Sequence, residues 1–281
     1  MSYTGYTTFK AKQDKGILVV TFDYPPVNIQ DYTMLDDLDK LAESLENDKM
    51  VKVVIFQSAN PDIFIAHADV GFLKDMSTTA VPRDKVEISK LQRVLDRISK
   101  LPQATIAKIE GFARGGGHEF TLACDMRFAA KGKAVFMQME VGMGILPCGG
   151  GSSRMARQVG LGRALEIILS AKDFTAEQAE QIGTINKAID PAQIGDYVYS
   201  LAERISKFPS ESITACKRTV YASIDLPIEE ALKEEEYQLY QATSQTPAIK
   251  RFQMAYDTDF QNKLENQKNF ANLLMGLQQI Q

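Results

Sequence analysis

Residues 106–130, IAKIEGFARGGGHEFTLACDMRFAA, contain the clearest structural pattern in the chain. The apolar run Thr105 to Ile109 predicts a buried strand. Four glycines follow, at positions 111, 115, 116 and 117, and a helical segment is predicted from about His118 to Ala123. Glycine lets the backbone approach a ligand closely, and free N–H groups at a helix start carry positive partial charge. The pattern therefore predicts either a structural turn or a site for a phosphate or a developing oxyanion.

Strand-like and helix-like segments alternate on both sides of this stretch. Ile17–Phe22 and Val53–Phe56 are apolar, β-branched runs that suit strands buried on both faces. Apolar residues recur at helical spacing over residues 34–45 and 86–98. Alternation of this kind favours an α/β layer structure with right-handed crossovers.

The second half of the chain has a different pattern of predicted secondary structure. From about Gly160 onward the segments are mainly helical, and Thr175 with Gln178 fits a capping box. We therefore predict an α/β core over residues 1–200 and a helical region over residues 201–281. A helical tail with an uncovered apolar face often packs against a neighbouring subunit.

Composition narrows the class of protein. The chain has 281 residues, 44% of them apolar, and 32 Lys and Arg against 36 Asp and Glu. Mild acidity argues against nucleic-acid binding, and no apolar run approaches the roughly 20 residues of a membrane-spanning helix. The N-terminus lacks the apolar core of a secretory signal. Three widely spaced cysteines suit neither a disulfide framework nor a thiolate metal site, so we expect a reducing, cytoplasmic compartment.

Two further segments contain candidate functional residues. In Phe64–Val70 (FIAHADV), Asp69 could cap a helix and bring the Ala68 N–H near the helix start, although an ordinary loop is the alternative. In Phe136–Pro147, Glu140 stands alone in an apolar, glycine-rich stretch. A carboxyl group there should have a raised pKa, which suits proton transfer near neutral pH, unless it serves as a cap or loop acid.

The joint order and spacing of these segments resembles the crotonase family, the enoyl-CoA hydratase/isomerase superfamily. The resemblance runs from about Gly16 to about Gln261. GFARGGGHEFTLACDMRFAA resembles the family's oxyanion-hole and first-glutamate motif, and FMQMEVGMGILPCGGGSSRMARQVG resembles its second-glutamate motif. IFIAHADV stands where the family has its other oxyanion donor, and PPVN, residues 25–28, resembles the usual N-terminal segment.

The resemblance implies an α/β fold, a spiral of repeated ββα units with a C-terminal helical trimerisation region. It implies an acyl-CoA thioester substrate, with CoA as part of the substrate, no metal or other cofactor, and a homotrimer or a dimer of trimers. Carried over by motif, the oxyanion donors are the N–H groups of Ala68 and Gly116. The resemblance also places Ala66, His67, Asp69 and Gly115 in substrate binding.

The two glutamates discriminate between reactions within the family. By resemblance, Glu119 positions and activates a water and Glu140 supplies the proton to C2, provided that one carboxyl group is protonated beforehand. Both acids together favour reversible hydration of a 2-enoyl-CoA. Double-bond isomerisation, C–C lyase chemistry and non-catalytic binding of a CoA thioester remain the alternatives.

Two positions depart from the family pattern. His67 stands where the family usually has glycine, so its side chain could narrow or contact the CoA cleft. If that glycine has positive φ, histidine is unfavourable there and the direction of the Ala68 N–H is affected. Met139 replaces a common proline before the second glutamate, which could loosen the placement of Glu140.

Overall fold

The computed structural model describes residues 3–76, 79–258 and 262–277. The strands in these ranges are β1 (Phe9–Asp14), β2 (Ile17–Phe22), β3 (Val53–Ser58), β4 (Ile63–Ile65), β5 (Ala104–Ile109), β6 (Phe112–Arg114), β7 (Met126–Ala130), β8 (Val135–Met137), β9 (Phe174–Thr175) and β10 (Lys187–Ile189). The helices are α1 (Tyr32–Glu46), α2 (Lys90–Ser99), α3 (Gly116–Ala123), α4 (Gly151–Val159), α5 (Leu161–Ser170), α6 (Ala176–Ile182), α7 (Ile194–Ser206), α8 (Ser210–Asp225), α9 (Ile228–Thr243), α10 (Thr246–Asp257), α11 (Leu264–Lys268) and α12 (Phe270–Gly276). Short 3₁₀ helices span Val70–Asp75, Arg83–Lys85 and Glu140–Met143.

The strands form two sheets. One has six strands in the order β1-β2-β3-β5-β7-β10, and the other has four in the order β4-β6-β8-β9. Pairing is parallel except between β1 and β2 and between β8 and β9. Successive strand pairs, β3–β4, β5–β6 and β7–β8, each give one strand to the larger sheet and the next to the smaller sheet. This repetition, with a helix after each pair, is the expected spiral of ββα units.

Strand β3 confirms the prediction of strands buried on both faces. Val54 and Phe56 belong to one apolar cluster with α1, whereas Val53 and Ile55 belong to a second cluster with α7. A strand covered on both sides reads as a continuous apolar run rather than an alternating one. The larger sheet therefore lies between two helical layers.

Several local predictions are confirmed and others need correction. Thr175 and Gln178 form the predicted capping box at the start of α6. Helix α3 begins at Gly116, two residues before the predicted start, because glycine N–H groups open the helix directly after the turn. Helix α2 begins only at Lys90, so Val86 lies outside it and is exposed. The mainly helical second half also contains the short strands β9 and β10, which extend both sheets.

The C-terminal helices pack onto the spiral through α7 and α8. Residue 200, the predicted end of the core, lies within α7, which packs against the larger sheet. The division of the chain at this point stays a prediction. No helix in the described ranges combines the length and apolarity that crossing a membrane requires.

Candidate active site

A cavity of about 500 Å³ lies at the ends of β4 and β6, beside the start of α3. Seven of the eight residues predicted for the site line it: His67, Ala68, Asp69, Gly115, Gly116, Glu119 and Glu140. The eighth, Ala66, precedes the lining residues on the chain. Its N–H donates to the Val27 carbonyl and its carbonyl accepts from the Arg114 N–H. The fold thus brings together residues from three separate segments of the sequence.

Helix α3 is held in place by Phe120 on its buried side. The Phe120 ring lies 5.1 Å from the Phe56 ring and 5.4 Å from the Phe22 ring, centroid to centroid, in edge-to-face contact. All eight residues of α3 are buried. Close packing of this kind leaves the helix start, and the Glu119 side chain beside Phe120, with little freedom to move.

Two backbone N–H groups converge at the helix start. The His67 carbonyl accepts a hydrogen bond from the Gln30 N–H at 3.0 Å, and because a trans peptide is planar, the Ala68 N–H points to the opposite side. Within the described chain neither the Ala68 nor the Gly116 nitrogen donates a hydrogen bond. A Cβ on Gly116 would lie 2.8 Å from the Ala68 nitrogen. Only glycine therefore lets the start of α3 approach the Ala68 segment this closely.

Glu119 is buried and its carboxyl group is held by backbone donors. Its Oε1 accepts hydrogen bonds from the N–H groups of Gly149 at 2.6 Å and Gly151 at 2.8 Å. Burial, with a smaller contribution from the charge of Glu140, raises the pKa of Glu119, and the two N–H groups oppose the rise, so that the pKa is about 7. The Glu119 carboxyl group is thus balanced between its protonated and ionised forms near neutral pH.

Glu140 begins the 3₁₀ helix Glu140–Met143 and is half-buried. Burial raises the pKa of this carboxyl group, while nearby backbone N–H groups and His67 lower it. Its Oε2 is buried and, among the described residues, has no hydrogen-bond partner. Its Oε1 would lie 2.8 Å from a Cβ on Gly115. One carboxyl oxygen is therefore left for a ligand or a water.

His67 does not disturb the backbone as the sequence suggested. Positive φ among the described non-glycine residues occurs at Lys15, Asn28 and Ala171, so His67 is not in the left-handed region. Its Nδ1 lies 2.8 Å from the Ala68 carbonyl oxygen and can only donate to it. The Ala68 donor therefore keeps its direction with histidine at this position.

His118 is placed away from the chemistry. It is fully buried, its ring packs 5.3 Å from the Phe136 ring, and Gln138 Nε2 lies 3.1 Å from its Nδ1. Burial lowers the pKa of His118 to about 3, so the imidazole is neutral. His118 is not among the residues that line the cavity.

The cavity wall also contains residues that the sequence did not single out. Apolar side chains form much of the cavity wall, among them Leu35, Phe72, Leu73, Leu91, Met143 and Leu146. Gly149 and Gly151, which hold Glu119, were part of the quoted motif but were given no role. The run of three glycines at 149–151 before α4 was the available signal, because it supplies unblocked N–H groups at a helix start.

Comparison with known proteins now identifies the class. The family described as enoyl-CoA hydratase/isomerase matches residues 12–267. The chain is 32% identical over 217 residues to the short-chain-enoyl-CoA hydratase of Clostridium acetobutylicum, covering 77% of this chain and 82% of that protein. It is 34% identical over 192 residues to the human mitochondrial methylglutaconyl-CoA hydratase, covering 68% of this chain and 56% of that protein.

Solved structures agree with the sequence comparison. A crystal structure of an enoyl-CoA hydratase from Geobacillus kaustophilus superposes with a TM-score of 0.82 at 26% identity, covering 91% of this chain and 96% of the other. The fold and the cavity thus define an enzyme of the crotonase type. The chain belongs to the enoyl-CoA hydratase/isomerase family.

Proposed function

We propose that the protein catalyses the reversible addition of water to a 2-enoyl-CoA thioester, giving a 3-hydroxyacyl-CoA. The observation that carries this proposal is the pairing in one cavity of two carboxyl groups with raised pKa values and two backbone N–H groups that have no partner in the described part of the chain. Hydration needs a proton acceptor, a proton donor and stabilisation of an enolate oxygen. Each requirement has a group of the right chemistry here, and curated relatives named as hydratases support the same reaction.

The two carboxyl groups carry out different proton transfers in the addition of water. The thioester oxygen accepts hydrogen bonds from the Ala68 and Gly116 N–H groups, which favours the enolate. Ionised Glu119 takes a proton from water as the oxygen bonds to C3, and the C2=C3 electron pair moves toward the thioester. Protonated Glu140 delivers its proton to C2. Proton exchange between the two carboxyl groups and solvent then restores the starting state.

The neighbourhood of Glu119 supports its assignment as the base in this direction. Two N–H groups on Oε1 favour the ionised form, whereas burial keeps that form reactive by denying it full hydration. Glu140 Oε2 has no hydrogen-bond partner among the described residues and can carry a proton for C2. Acid–base steps and oxyanion stabilisation suffice for hydration, so we propose that no cofactor acts beyond the CoA of the substrate.

The test is the loss of enoyl-thioester absorbance with crotonyl-CoA, for wild type and for Glu119→Gln and Glu140→Gln. We expect hydration by wild type and a loss of about 10²-fold or more in each variant, as for removal of a positioned acid or base. Glu43→Gln makes the same chemical change on the exposed side of α1 and serves as the matched control, with activity unchanged. Near-unchanged activity in either site variant would disprove its assigned role.

Isomerisation is the alternative that the same experiment separates. An isomerase would convert a 3-enoyl-CoA to a 2-enoyl-CoA and would keep that activity after Glu119→Gln. Hydration lost in Glu119→Gln, with no 3-enoyl-CoA conversion in wild type, supports the hydratase.

We further propose a homotrimer or a dimer of trimers in a reducing compartment such as the cytoplasm. Large exposed apolar side chains on α9 and α10, such as Leu239, Ile249 and Phe252, support subunit contacts there. The three cysteines are unpaired, which suits a reducing compartment. Light scattering should give a mass of three or six times the 31.3 kDa of one chain, and a mass of one chain would contradict the proposal.

A further inference from the structure

Gln30 is a buried polar residue that the mechanism above does not use. Its side chain has no exposed surface, and neither its amide oxygen nor its amide nitrogen has a hydrogen-bond partner among the described residues. A buried amide without partners costs free energy that an apolar side chain of similar size would not. Such a residue needs a physical reason for its presence.

The position of Gln30 supplies that reason. Its backbone pairs with the segment containing Ala68: the Gln30 N–H donates to the His67 carbonyl at 3.0 Å, and the Gln30 carbonyl accepts from the Asp69 N–H at 2.9 Å. A Cβ on Gly116 would touch Gln30 Oε1, Ala68 Cβ and the Ala68 nitrogen. The Gln30 amide therefore ends beside the two N–H groups that face the thioester oxygen.

The orientation of this amide is free to respond to charge. Rotation by 180° about its terminal bond exchanges the oxygen and the nitrogen at almost no change in shape. No described group holds either end. A negative charge developing at the thioester oxygen attracts the N–H end and repels the oxygen end.

We propose that Gln30 is a positioning residue of the oxyanion hole, whose amide turns its NH₂ toward the developing oxyanion and supplies a third dipole behind Ala68 and Gly116. The proposal rests on the proposed hydratase function. Gln30 does not line the cavity, so it acts through space and through the donors that it supports rather than by touching substrate.

The test compares Gln30→Met with Gln103→Met. Methionine has nearly the same length as glutamine and no amide. Gln103 is also buried, but its Nε2 donates to the carbonyls of Leu45 at 2.7 Å and Asp48 at 2.9 Å, outside the cavity lining. Two readouts are needed: kcat and KM for crotonyl-CoA, and the absorbance red shift of a bound cinnamoyl-type enoyl-CoA, which reports polarisation of the thioester.

We expect Gln30→Met to fold, to lower kcat about tenfold with KM within about twofold, and to reduce the red shift. A full oxyanion donor contributes about 10²–10³-fold, and a dipole behind it should contribute less. Gln103→Met should lower thermal stability and leave kcat and the red shift unchanged.

Three outcomes would overturn the inference. These are wild-type kcat and red shift in Gln30→Met, equal effects of the two variants, and no red shift in the wild-type protein. A wild-type protein that shifts the spectrum but hydrates no enoyl-CoA would contradict the hydratase proposal alone, because the red shift still measures the contribution of Gln30 to polarisation.

Discussion

At the scale of single residues, the site depends on surroundings more than on residue type. Glu119 and Glu140 have the same side chain, yet the first is held by two backbone N–H groups and the second has a buried oxygen without a described partner. Different surroundings give two carboxyl groups different proton affinities, which is what opposite roles in proton transfer require. Two predictions belong to this scale.

The first prediction concerns pH and stability. Burial raises the pKa of Glu119 from 4.5 to about 7. Between these pH values the folded protein binds more protons than the unfolded chain, so the free energy of unfolding falls as pH rises. At about 1.4 kcal/mol for each pH unit of difference, ionised Glu119 destabilises the fold by roughly 3 kcal/mol above pH 7. Glu119→Gln should therefore be more stable than wild type at pH 8 and similar to it at pH 4.5.

Urea denaturation at the two pH values measures this effect. Glu43→Gln, at an exposed position of α1, is the control. Its free energy of unfolding should differ from that of wild type by the same small amount at both pH values. A stability gain in Glu119→Gln that does not depend on pH would contradict the prediction.

The second prediction concerns Gly116. Gly116→Ala should reduce kcat by about 10²–10³-fold, because its Cβ would lie 2.8 Å from the Ala68 nitrogen and would push the two oxyanion donors apart. Gly162→Ala is the matched control, since it lies in α5 and its added Cβ would meet no atom within 4 Å. The measurement is the turnover of crotonyl-CoA by both variants. Wild-type activity in Gly116→Ala would contradict the assignment of the Gly116 N–H as an oxyanion donor.

At the scale of elements, short helices position the chemistry. The 3₁₀ helix Val70–Asp75 forms one side of the cavity, and Asp69 caps it by accepting a hydrogen bond from the Gly71 N–H at 2.8 Å. Its neighbour Ala68 is the proposed oxyanion donor. The Asp69 cap therefore stabilises both the start of this helix and the position of the neighbouring Ala68 N–H.

Loss of the Asp69 cap should affect both the stability of the protein and the binding of substrate. Asp69→Ala should cost about 1 kcal/mol of stability and raise KM, because the first turn loses a hydrogen bond. Asp69→Asn should keep most of the wild-type stability and a KM close to that of wild type, since asparagine is an equally good cap. Thermal unfolding and steady-state kinetics test this, and equal behaviour of the two variants would contradict it.

At the scale of the whole molecule, the C-terminal helices are joined to the spiral by a partly buried ionic cluster. Asp125, after α3, accepts hydrogen bonds from the Thr105 N–H at 2.7 Å and the Tyr221 hydroxyl at 2.9 Å. Lys217 Nζ lies 2.9 Å from Asp125 Oδ2, and burial lowers the pKa of this lysine. The cluster links α8 to the larger sheet.

Breaking the cluster should loosen the helical region. Asp125→Ala leaves the partly buried Lys217 without its carboxylate and should cost about 3 kcal/mol. Arg157→Ala breaks the exposed pair with Asp225 and should cost about 1 kcal/mol or less. Urea denaturation with limited proteolysis of α8 and α9 compares them, and equal losses would contradict the role of the cluster.

The sequence alone determined the architecture and much of the site. Apolar runs such as Val53–Phe56 predicted buried strands, and the spacing of Gly116, Glu119 and Glu140 predicted the family. These features are local, since periodicity, glycine content and motif order are properties of neighbouring residues. The true start of α2 was missed because amphipathic spacing continued back to Val86, beyond the capping residue Ser89.

Packing between distant segments of the chain completes the site. It brings Gln30 against Gly116, places the Gly149 and Gly151 N–H groups on Glu119, and gives His67 an ordinary backbone conformation. These contacts join segments separated by 30 or more residues. Burial and the direction of N–H groups are set by packing between such segments, and no local pattern in the chain encodes them.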